Sequence, residues 1–239
     1  MNNQGLFKSS PLHVGIIMDG NRRWAKSKNL AISFGHKQGA ETFKQIAKYA
    51  NKIGIQTLTV YAFSTENWNR SSAEVAALMM IFKRYLKTVA EEFKNEDICV
   101  KFIGDMSVFS SDIRVLVNDI EEQTKNRLGM KLNIAMNYGS RKEITYAVKK
   151  ISEKILIGDI SVEDISEKIV SKYLYTHDLP DVDLVIRTGG EERLSNFMLW
   201  QSAYAEFYFT NILWPDFSEK DFDAAIETYF SRIRRFGGA

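Results

Sequence analysis

The sequence predicts an α/β fold, in which a mainly parallel central sheet of about six strands has helices on both faces. Short β-branched, apolar runs alternate along the chain with longer segments whose apolar residues recur at helical spacing, an alternation typical of parallel sheets. The chain has 239 residues, of which 45% are hydrophobic, so it can bury one sizeable core. Because no low-complexity stretch marks a linker, we predict a single domain over 1–239, with a flexible N-terminus at 1–12 and a C-terminal tail at 232–239.

The predicted strands are short runs rich in valine, isoleucine and aromatic residues. The first ends at Asp19-Gly20-Asn21, and the second ends in a polar loop over 64–70. In open α/β sheets ligands bind just past the carboxyl ends of strands, so both loops are candidate binding segments. The strands are placed at 14–18, 55–63, 98–104, 131–137, 183–187 and 206–210.

The predicted helices have an apolar face and residues typical of helix ends beside them. Gly54 ends the first helix, and the pairs Ser71 with Glu74 and Ser140 with Glu143 have the spacing of capping boxes. The helices are placed at 39–53, 73–93, 110–127, 140–155, 161–174 and 218–230.

The predicted helix at 73–93 is apolar nearly all round in its first half, whereas a helix that packs on a sheet needs only one apolar stripe. The additional apolar face either packs against another helix or a dimer partner, or lines a cavity for an apolar ligand. Its methionines suit an adaptable cavity wall and an ordinary core equally well.

Composition excludes several classes of function. The net charge is +2, so nothing suggests a nucleic-acid surface, and an anion site must come from local clustering of cations rather than from a global field. One cysteine and three widely separated histidines provide neither a disulfide within the chain nor a metal-spaced pair. No signal core and no apolar run near the ~20 residues of a membrane span is present, so we expect a soluble cytoplasmic protein. P-loop, dinucleotide, G-x-S-x-G and H-E-x-x-H motifs are absent from the sequence.

The stretch at 13–26 joins a buried strand to groups that bind metals and phosphates. The apolar run is followed by Asp19, two more turn-forming residues, and the cations Arg22, Arg23 and Lys26. A carboxylate can hold a divalent cation, and arginines and free backbone N–H groups can hold phosphate oxygens. The alternative is an ordinary strand–turn–helix connection with a solvated basic face.

A second loop suited to phosphate follows the fifth strand. The backbone N–H groups of Gly189-Gly190 could cradle a diphosphate, flanked by Arg187, Arg193 and Ser195. Glu206, where the last strand begins, is either an exposed strand end or a metal ligand. Two such loops, two separated carboxylates and a possible apolar cavity fit a substrate with a charged head and an apolar tail.

Several blocks of the sequence resemble signature motifs of the cis-prenyltransferase family. They lie at 13–26 (HVGIIMDGNRRWAK), 34–36 (FGH), 61–70 (YAFSTENWNR), 183–191 (DLVIRTGGE), 193–201 (RLSNFMLWQ), 204–209 (YAEFYF) and 214–216 (WPD). The blocks follow the family's order and, with the Arg-Arg-Phe-Gly-Gly tail, span nearly the whole chain.

The resemblance implies a homodimeric enzyme that uses Mg²⁺ to extend farnesyl diphosphate with successive isopentenyl diphosphates, each new double bond being cis. The expected product is undecaprenyl diphosphate, a lipid carrier precursor for cell-wall glycans such as peptidoglycan, which must pass to the membrane. The helix at 73–93 and Ala62 would line an apolar tunnel, with Met130 as a candidate floor. Tunnel depth would set product length, and the sequence leaves short, medium and long products open.

The resemblance also implies roles for individual residues. Asp19 and Asn67 would be catalytic, and Asp19 and Glu206 would place Mg²⁺. Arg235 and Gly237 would reach the active site of the partner subunit. The residues implied to bind substrate are Gly20, Asn21, Arg23, Trp24, His36, Ser64, Glu66, Trp68, Arg70, Arg187, Arg193, Ser195, Arg235 and Gly237.

Two positions depart from the family's pattern. Arg22 stands where many members have glycine, and we expect little effect. Ile32 stands where the family usually has an arginine that contacts the allylic diphosphate, so one charge-assisted contact is missing or is replaced by Lys26, Lys28 or Lys37.

Two other functions are weighed against a catalytic prenyltransferase. A non-catalytic binding subunit of the same fold should lack the Asp-Gly-Asn block, which this chain keeps. An unrelated phosphate-ester enzyme could use the same charged loops, but it would not explain the block order or the broadly apolar helix.

Overall fold

The computed structural model describes residues 12–93 and 95–232. The described chain forms one six-stranded sheet in the order β3-β4-β2-β1-β5-β6, with every neighbouring pair parallel. This confirms the predicted fold class. The strands are β1 (His13–Ile17), β2 (Thr57–Ser64), β3 (Cys99–Ile103), β4 (Lys131–Tyr138), β5 (Leu184–Arg187) and β6 (Glu206–Phe209).

Helices connect the strands and cover the sheet. Short 3₁₀ helices follow β2 at Thr65–Asn69 and precede the last helix at Trp214–Asp216. The α-helices are α1 (Asn21–Ser27), α2 (Ile32–Lys52), α3 (Ser72–Glu92), α4 (Ser111–Thr124), α5 (Ser140–Leu156), α6 (Glu167–Lys172) and α7 (Glu219–Ser231). No helix in the described ranges is long and apolar enough to cross a membrane.

The predicted helix at 161–174 is wrong in extent. The first residues form only a 3₁₀ turn, Val162–Asp164, because the Asp164 carboxylate accepts from the backbone and hydroxyl of Ser161 and closes the segment on itself. The α-helix begins later, after Ser166, whose hydroxyl accepts from the backbone N–H of Ile169. Conversely, α2 begins at Ile32, seven residues before its predicted start at 39.

The second predicted capping box, Ser140 with Glu143, is also wrong. Gly139 is the N-cap residue of α5, and Ser140 lies inside the helix. Glu143 is fully buried, where it accepts hydrogen bonds from the Tyr138 hydroxyl (2.5 Å) and the Tyr175 backbone (2.9 Å). Burial raises the pKa of Glu143, and these hydrogen bonds oppose that shift. Its carboxylate therefore joins β4 to the segment after α6 instead of closing the helix end.

The larger part of the core lies on the face of the sheet covered by α2, α3, α4 and α7. On α3 the residues Phe82, Leu86, Val89 and Phe93 are buried there, whereas Met80 is 71% exposed. The opposite face carries a smaller cluster, which includes Ile17, Val185 and Phe197. The two clusters make the central strands apolar on both sides, as parallel strands require.

The topology brings the predicted loops together. In the sheet, β2 lies on one side of β1, whereas β5 and β6 lie on the other side. The direction in which successive strands are added to the sheet therefore reverses between β1 and β5. In the register of β1 and β5, the last residue of β1, Ile17, pairs with the last residue of β5, Arg187. The two strands therefore end at the same level of the sheet. Such a switch point leaves a crevice at the carboxyl ends, which is the general binding position in open α/β sheets.

Candidate active site

Asp19 lies directly after β1 in this crevice. Its backbone N–H donates to Thr188 Oγ1 at 3.0 Å, and the Thr188 hydroxyl donates to the Asp19 carbonyl at 2.7 Å. Gly20 then turns the chain into α1 with φ of 116°, a left-handed conformation that favours glycine. A Cβ at Gly20 would lie 3.0 Å from the backbone of Leu213. The turn therefore fixes the carboxylate of Asp19 at the edge of the sheet, with its side chain 32% exposed.

Arg187 joins Asp19 to the second predicted loop. Its side chain is only 4% exposed, and Nη2 donates to Asp19 Oδ2 at 3.0 Å. Nη1 donates to Ser195 Oγ at 2.8 Å and to the backbone carbonyl of Arg193. A buried guanidinium is stable only with such partners, and it holds carboxylate and hydroxyl in fixed positions. The structure thus brings three of the predicted residues together.

The predicted diphosphate cradle of Gly189 and Gly190 is wrong in its chemistry. Their backbone N–H groups donate to the carbonyls of Ile212 and Thr210, each at 2.8 Å, so neither is free for a phosphate oxygen. Gly189 instead accepts from Arg23 Nη1 through its carbonyl, at 2.5 Å. With φ of 85° and 77°, the two glycines allow the backbone to turn at this point, and their N–H groups are not available to bind a phosphate.

A cleft of about 680 Å³, open to solvent, lies at the end of β1. Four basic side chains line it against one carboxylate, so it favours an anion. Two of the lining side chains form an ion pair, with Arg23 Nη2 lying 3.3 Å from Asp19 Oδ1. The lining residues are Met18, Asp19, Gly20, Asn21, Arg22, Arg23, Lys26, His36 and Arg70. Of the three lysines considered as replacements at the Ile32 position, Lys26 alone lines this cleft, since Lys28 lies 4.9 Å from the ring of Trp24 and Lys37 lines another groove.

His36 contributes to the cleft as a neutral ring. Burial, together with the charges of Arg70 and Arg22, lowers its pKa to about 4, although Glu74 opposes this shift. His36 Nε2 lies 3.8 Å from Glu74 Oε1, which is too long for a hydrogen bond, and it has no other partner among the described residues. It therefore offers one uncommitted hydrogen-bonding nitrogen beside the cleft.

The polar loop after β2 is organised by its own side chains. Ser64 donates its backbone N–H to Asn67 Oδ1 at 3.1 Å, which closes the 3₁₀ helix, so the amide oxygen of Asn67 has a structural partner. Trp68 donates its indole N–H to Asn137 Oδ1 at 2.8 Å and packs against Phe63, yet it remains 39% exposed. The ring of Trp68 is therefore partly exposed, and the hydrogen bonds of the loop hold it in position.

Glu66 connects this loop to the second one. It accepts from Asn196 Nδ2 at 2.9 Å, and this bond lowers the pKa of the Glu66 carboxyl even though partial burial raises it. Asn196 Oδ1 in turn accepts from the backbone of Arg141 at 2.9 Å. Ser195 and Asn196 both have positive φ, of 48° and 64°, which shows that tertiary contacts hold this segment in an unfavourable conformation.

An apolar cavity opens beside the cationic cleft. It occupies about 710 Å³ including its open mouth, and the two spaces share Met18, Asn21 and His36. The helix α3 lines it through Leu78, Met79, Ile81, Phe82 and Tyr85, although Met80 of its additional apolar face is exposed, and Ala62 lies in its wall. The further lining residues are Gly39, Ala40, Phe43, Val60, Phe63, Ile134, Met136 and Trp214. Met130, the candidate floor, is buried elsewhere and is not part of this lining.

Other predicted residues lie apart from the cleft. Trp24 donates its indole N–H to Asp216 Oδ1 at 2.7 Å and is not part of the cleft lining. Arg193 pairs its guanidinium with Glu191 at 2.5 Å on the surface, so only its carbonyl reaches Arg187. Arg235 and Gly237 lie outside the described residues.

Glu206 does not meet Asp19 within one chain. It pairs with Leu184 at the amino end of the sheet, three residues or roughly 10 Å of strand before Arg187. Its carboxylate accepts from Arg232 Nη1 at 2.7 Å. Across residues 12–93 and 95–232, no three histidine, cysteine or acidic side chains are grouped as a metal site.

The position of the Asp19 carboxylate suits a Mg²⁺ ion that enters the cleft already bound to a phosphate. Its carboxylate is partly exposed in the cleft, and its contacts with Arg23 and Arg187 leave lone pairs for a metal. Mg²⁺ commonly binds through one or two carboxylates together with substrate phosphates and water. The donor set of the cleft therefore suits a magnesium–diphosphate complex better than a free ion.

Sequence reasoning missed Glu74 and Thr188. Glu74 Oε1 accepts from Arg70 at 2.9 Å, and its Oε2 lies 3.6 Å from Arg22, so one carboxylate orders two cations of the cleft. The spacing of Arg70 and Glu74 along the chain, four residues, is the signal that could have revealed this pair. Thr188 gave no such signal, because its bonds to Asp19 cross between two loops that are distant in sequence.

Comparisons with known proteins agree with this arrangement. A family model described as putative undecaprenyl diphosphate synthase matches residues 17–237. The ditrans,polycis-undecaprenyl-diphosphate synthase ((2E,6E)-farnesyl-diphosphate specific) of Yersinia pseudotuberculosis is 47% identical over 229 residues, 96% of this chain and 91% of that protein. An isoprenyl transferase of Fusobacterium nucleatum is 51% identical over 231 residues, 97% of each chain.

A solved structure shows the same fold. The lavandulyl diphosphate synthase of Lavandula x intermedia, in complex with dimethylallyl diphosphate, is 39% identical and superimposes with a TM-score of 0.93. The match covers 95% of this chain and 98% of that one. The chain therefore belongs to the undecaprenyl diphosphate synthase family of prenyltransferases.

Proposed function

We propose that this protein is a Mg²⁺-dependent cis-prenyltransferase that condenses farnesyl diphosphate with successive isopentenyl diphosphates to give undecaprenyl diphosphate. The observation that carries the proposal is the adjacency of the two spaces, since the cationic cleft beside Asp19 and the apolar cavity share Met18, Asn21 and His36. A diphosphate head fits the first and a prenyl tail fits the second, so one allylic diphosphate can occupy both.

The cations of the cleft suit the departure of the allylic diphosphate. As the carbon–oxygen bond breaks, negative charge develops on the leaving diphosphate, and Arg23 and Lys26 line the cleft where they can stabilise it. Mg²⁺, when bound, would add Lewis-acid stabilisation of the same oxygens, and Asp19 is the residue that would hold it. The neutral His36 adds a hydrogen bond but no charge, because its pKa is about 4.

The loop around Arg187 suits the second substrate. Arg187 and Ser195 would contact isopentenyl diphosphate next to Asp19, and the side chains of Asn67 and Trp68 would assist condensation and proton loss between the two sites. The apolar walls of the cavity exclude water from the developing allylic cation, which water would otherwise capture.

We further propose that the enzyme is a cytoplasmic homodimer whose product passes to the membrane for cell-wall glycan synthesis. Because Glu206 lies far from Asp19 in one chain, its predicted part in placing Mg²⁺ needs a second copy. The same is true of the partner-directed roles predicted for Arg235 and Gly237. These assignments remain predictions.

An isopentenyl incorporation assay tests the function. Purified protein receives farnesyl diphosphate, labelled isopentenyl diphosphate and Mg²⁺, and the extracted products are sized by chromatography. We expect a ladder ending near undecaprenyl that Asp19→Ala abolishes. Asp159→Ala, which removes an exposed carboxylate paired with Lys154, is the matched control and should keep the ladder. No incorporation by folded wild-type protein would overturn the proposal, and a ladder that stops early would overturn the product assignment alone.

A further inference from the structure

The apolar cavity is too small for the whole product. Its volume is about 710 Å³ with the open mouth included. A heavy atom packed as in a liquid takes roughly 30 Å³, the share of one water molecule, so the cavity holds about two dozen carbon atoms. This is less than half of an undecaprenyl chain. The tail must therefore reach a second space before elongation is complete.

Tyr85 and Phe43 close the far end of the cavity. On α3, Tyr85 is the lining residue most distant from Glu74 at the cleft, eleven residues or roughly 16 Å along the helix axis. Its ring meets Phe43 of α2 edge-on, with centroids 5.4 Å apart, and Phe43 in turn packs on Phe93, which is fully buried. Growth straight ahead therefore meets the closed core.

A second space lies on the other side of Tyr85. This outer groove occupies about 1000 Å³ between α2 and α3, including space open to solvent, and apolar side chains from both helices line it beside polar and charged ones. Its residues are Ser33, Phe34, Lys37, Ala40, Glu41, Lys44, Ile81, Arg84, Tyr85, Thr88 and Glu92. The groove shares Ala40, Ile81 and Tyr85 with the cavity, so these three side chains border both spaces. Tyr85 is the largest of them.

The hydroxyl of Tyr85 is unsatisfied in the observed position. It is buried and has no hydrogen-bond partner among the described residues, and burial raises its pKa well above the usual value. An unpaired buried hydroxyl destabilises the conformation that holds it. Rotation towards the outer groove would bring it to water and to polar groups such as Thr88, so the closed position is not strongly favoured.

We propose that Tyr85 is a gate that determines product length. It closes the cavity during the first additions and swings towards the outer groove when the chain outgrows the cavity, so that the tail passes between α2 and α3. The stems of Lys37 and Arg84 offer hydrocarbon to this tail while their charges stay in water. The proposal rests on the proposed function and identifies the residue that sets its chain length.

The test measures product length in the full-length enzyme. Tyr85→Trp enlarges the gate, and Ala40→Leu fills the passage independently from α2. We expect both variants to accumulate products of about five isoprene units and to lower the share of full-length product about tenfold or more, since one added methylene group in a tight pocket has effects of that size. The rate of the first condensation should fall much less than the share of full-length product, because Tyr85 lies at the end of the cavity that is far from the cleft.

Two more variants separate a gate from a passive wall. Tyr85→Phe removes the unsatisfied hydroxyl, stabilises the closed position and should raise the share of medium-length intermediates, whereas Tyr85→Ala should lower it. Met80→Ala, on the exposed side of α3, is the matched control and should keep the wild-type ladder.

The outcomes separate this inference from the proposed function. Unchanged ladders in Tyr85→Trp and Ala40→Leu would overturn the gate and leave the function standing. Equal losses in first condensation and in long product would also overturn it, because they indicate general damage to the site. No incorporation by the wild-type enzyme would overturn both.

Discussion

His13 allows a quantitative test of the structure because the sheet buries it completely. Its side chain has no exposed surface, Nδ1 lies 2.8 Å from the carbonyl of Pro180, and Nε2 lies 2.7 Å from Thr59 Oγ1. A carbonyl can only accept, so Nδ1 carries the proton and Nε2 accepts from the Thr59 hydroxyl. A second proton on Nε2 would break that bond and place a charge in the core.

Burial accordingly lowers the pKa of His13 to about 4, although the bond to Pro180 and the charge of Asp183 oppose the shift. Between the unfolded value of 6.5 and this folded value, the unfolded chain binds more protons than the folded one. The free energy of unfolding therefore falls as the pH drops through this window. At ~1.36 kcal/mol per pH unit, the loss from His13 alone is about 2 kcal/mol between about pH 7 and pH 4.5.

Urea unfolding at these two pH values measures the effect. The wild-type protein should lose about 2 kcal/mol more stability on acidification than His13→Gln, which removes the titrating group. His177→Gln, a change at an exposed histidine, is the matched control and should keep the wild-type loss. Equal losses in wild type and His13→Gln would refute the reasoning, as would an NMR titration of His13 near its unfolded pKa.

Three further predictions concern the site. Ile32→Arg should lower the KM for farnesyl diphosphate about tenfold, since a charge-assisted hydrogen bond contributes ~1.5–3 kcal/mol, and an unchanged KM would contradict it. Gly189→Ala should lower the free energy of unfolding by about 1–2 kcal/mol, because φ is 85° and the new Cβ would lie 2.6 Å from Arg23 Nη2, and denaturant titration checks this. EDTA should reduce isopentenyl incorporation to background, and excess Mg²⁺ should restore it in wild type but not in Asp19→Ala.

The fold class could be predicted because its signals are local. The alternation of apolar runs and helical stripes reports which face of each element is buried, and those faces depend on neighbours in sequence. The prediction failed where one local pattern is compatible with two structures, as at Ser140 and Glu143. The spacing of a capping box was present, but the Tyr138 hydroxyl and the Tyr175 backbone bind the carboxylate in the core instead.

Part of the candidate site could also be predicted, because its signals in the sequence are local too. Asp19 follows one apolar strand and Arg187 ends another, and the parallel topology places both at one edge of the sheet. The role of the glycine pair was not accessible, because its N–H groups are bound by the carbonyls of Ile212 and Thr210, which arrive from a later segment. Which partner satisfies a backbone donor is a property of the assembled fold.

Residue types and their spacing were sufficient to predict the parallel α/β architecture, the cations beside Asp19 and the family of the chain. Only the folded chain shows that Lys26 reaches the cleft whereas Lys37 does not, that His36 is neutral, and that Tyr85 borders two spaces. These three facts depend on distances and burial between elements far apart in sequence. Burial and distance set pKa values and cavity shape, and no local pattern encodes them.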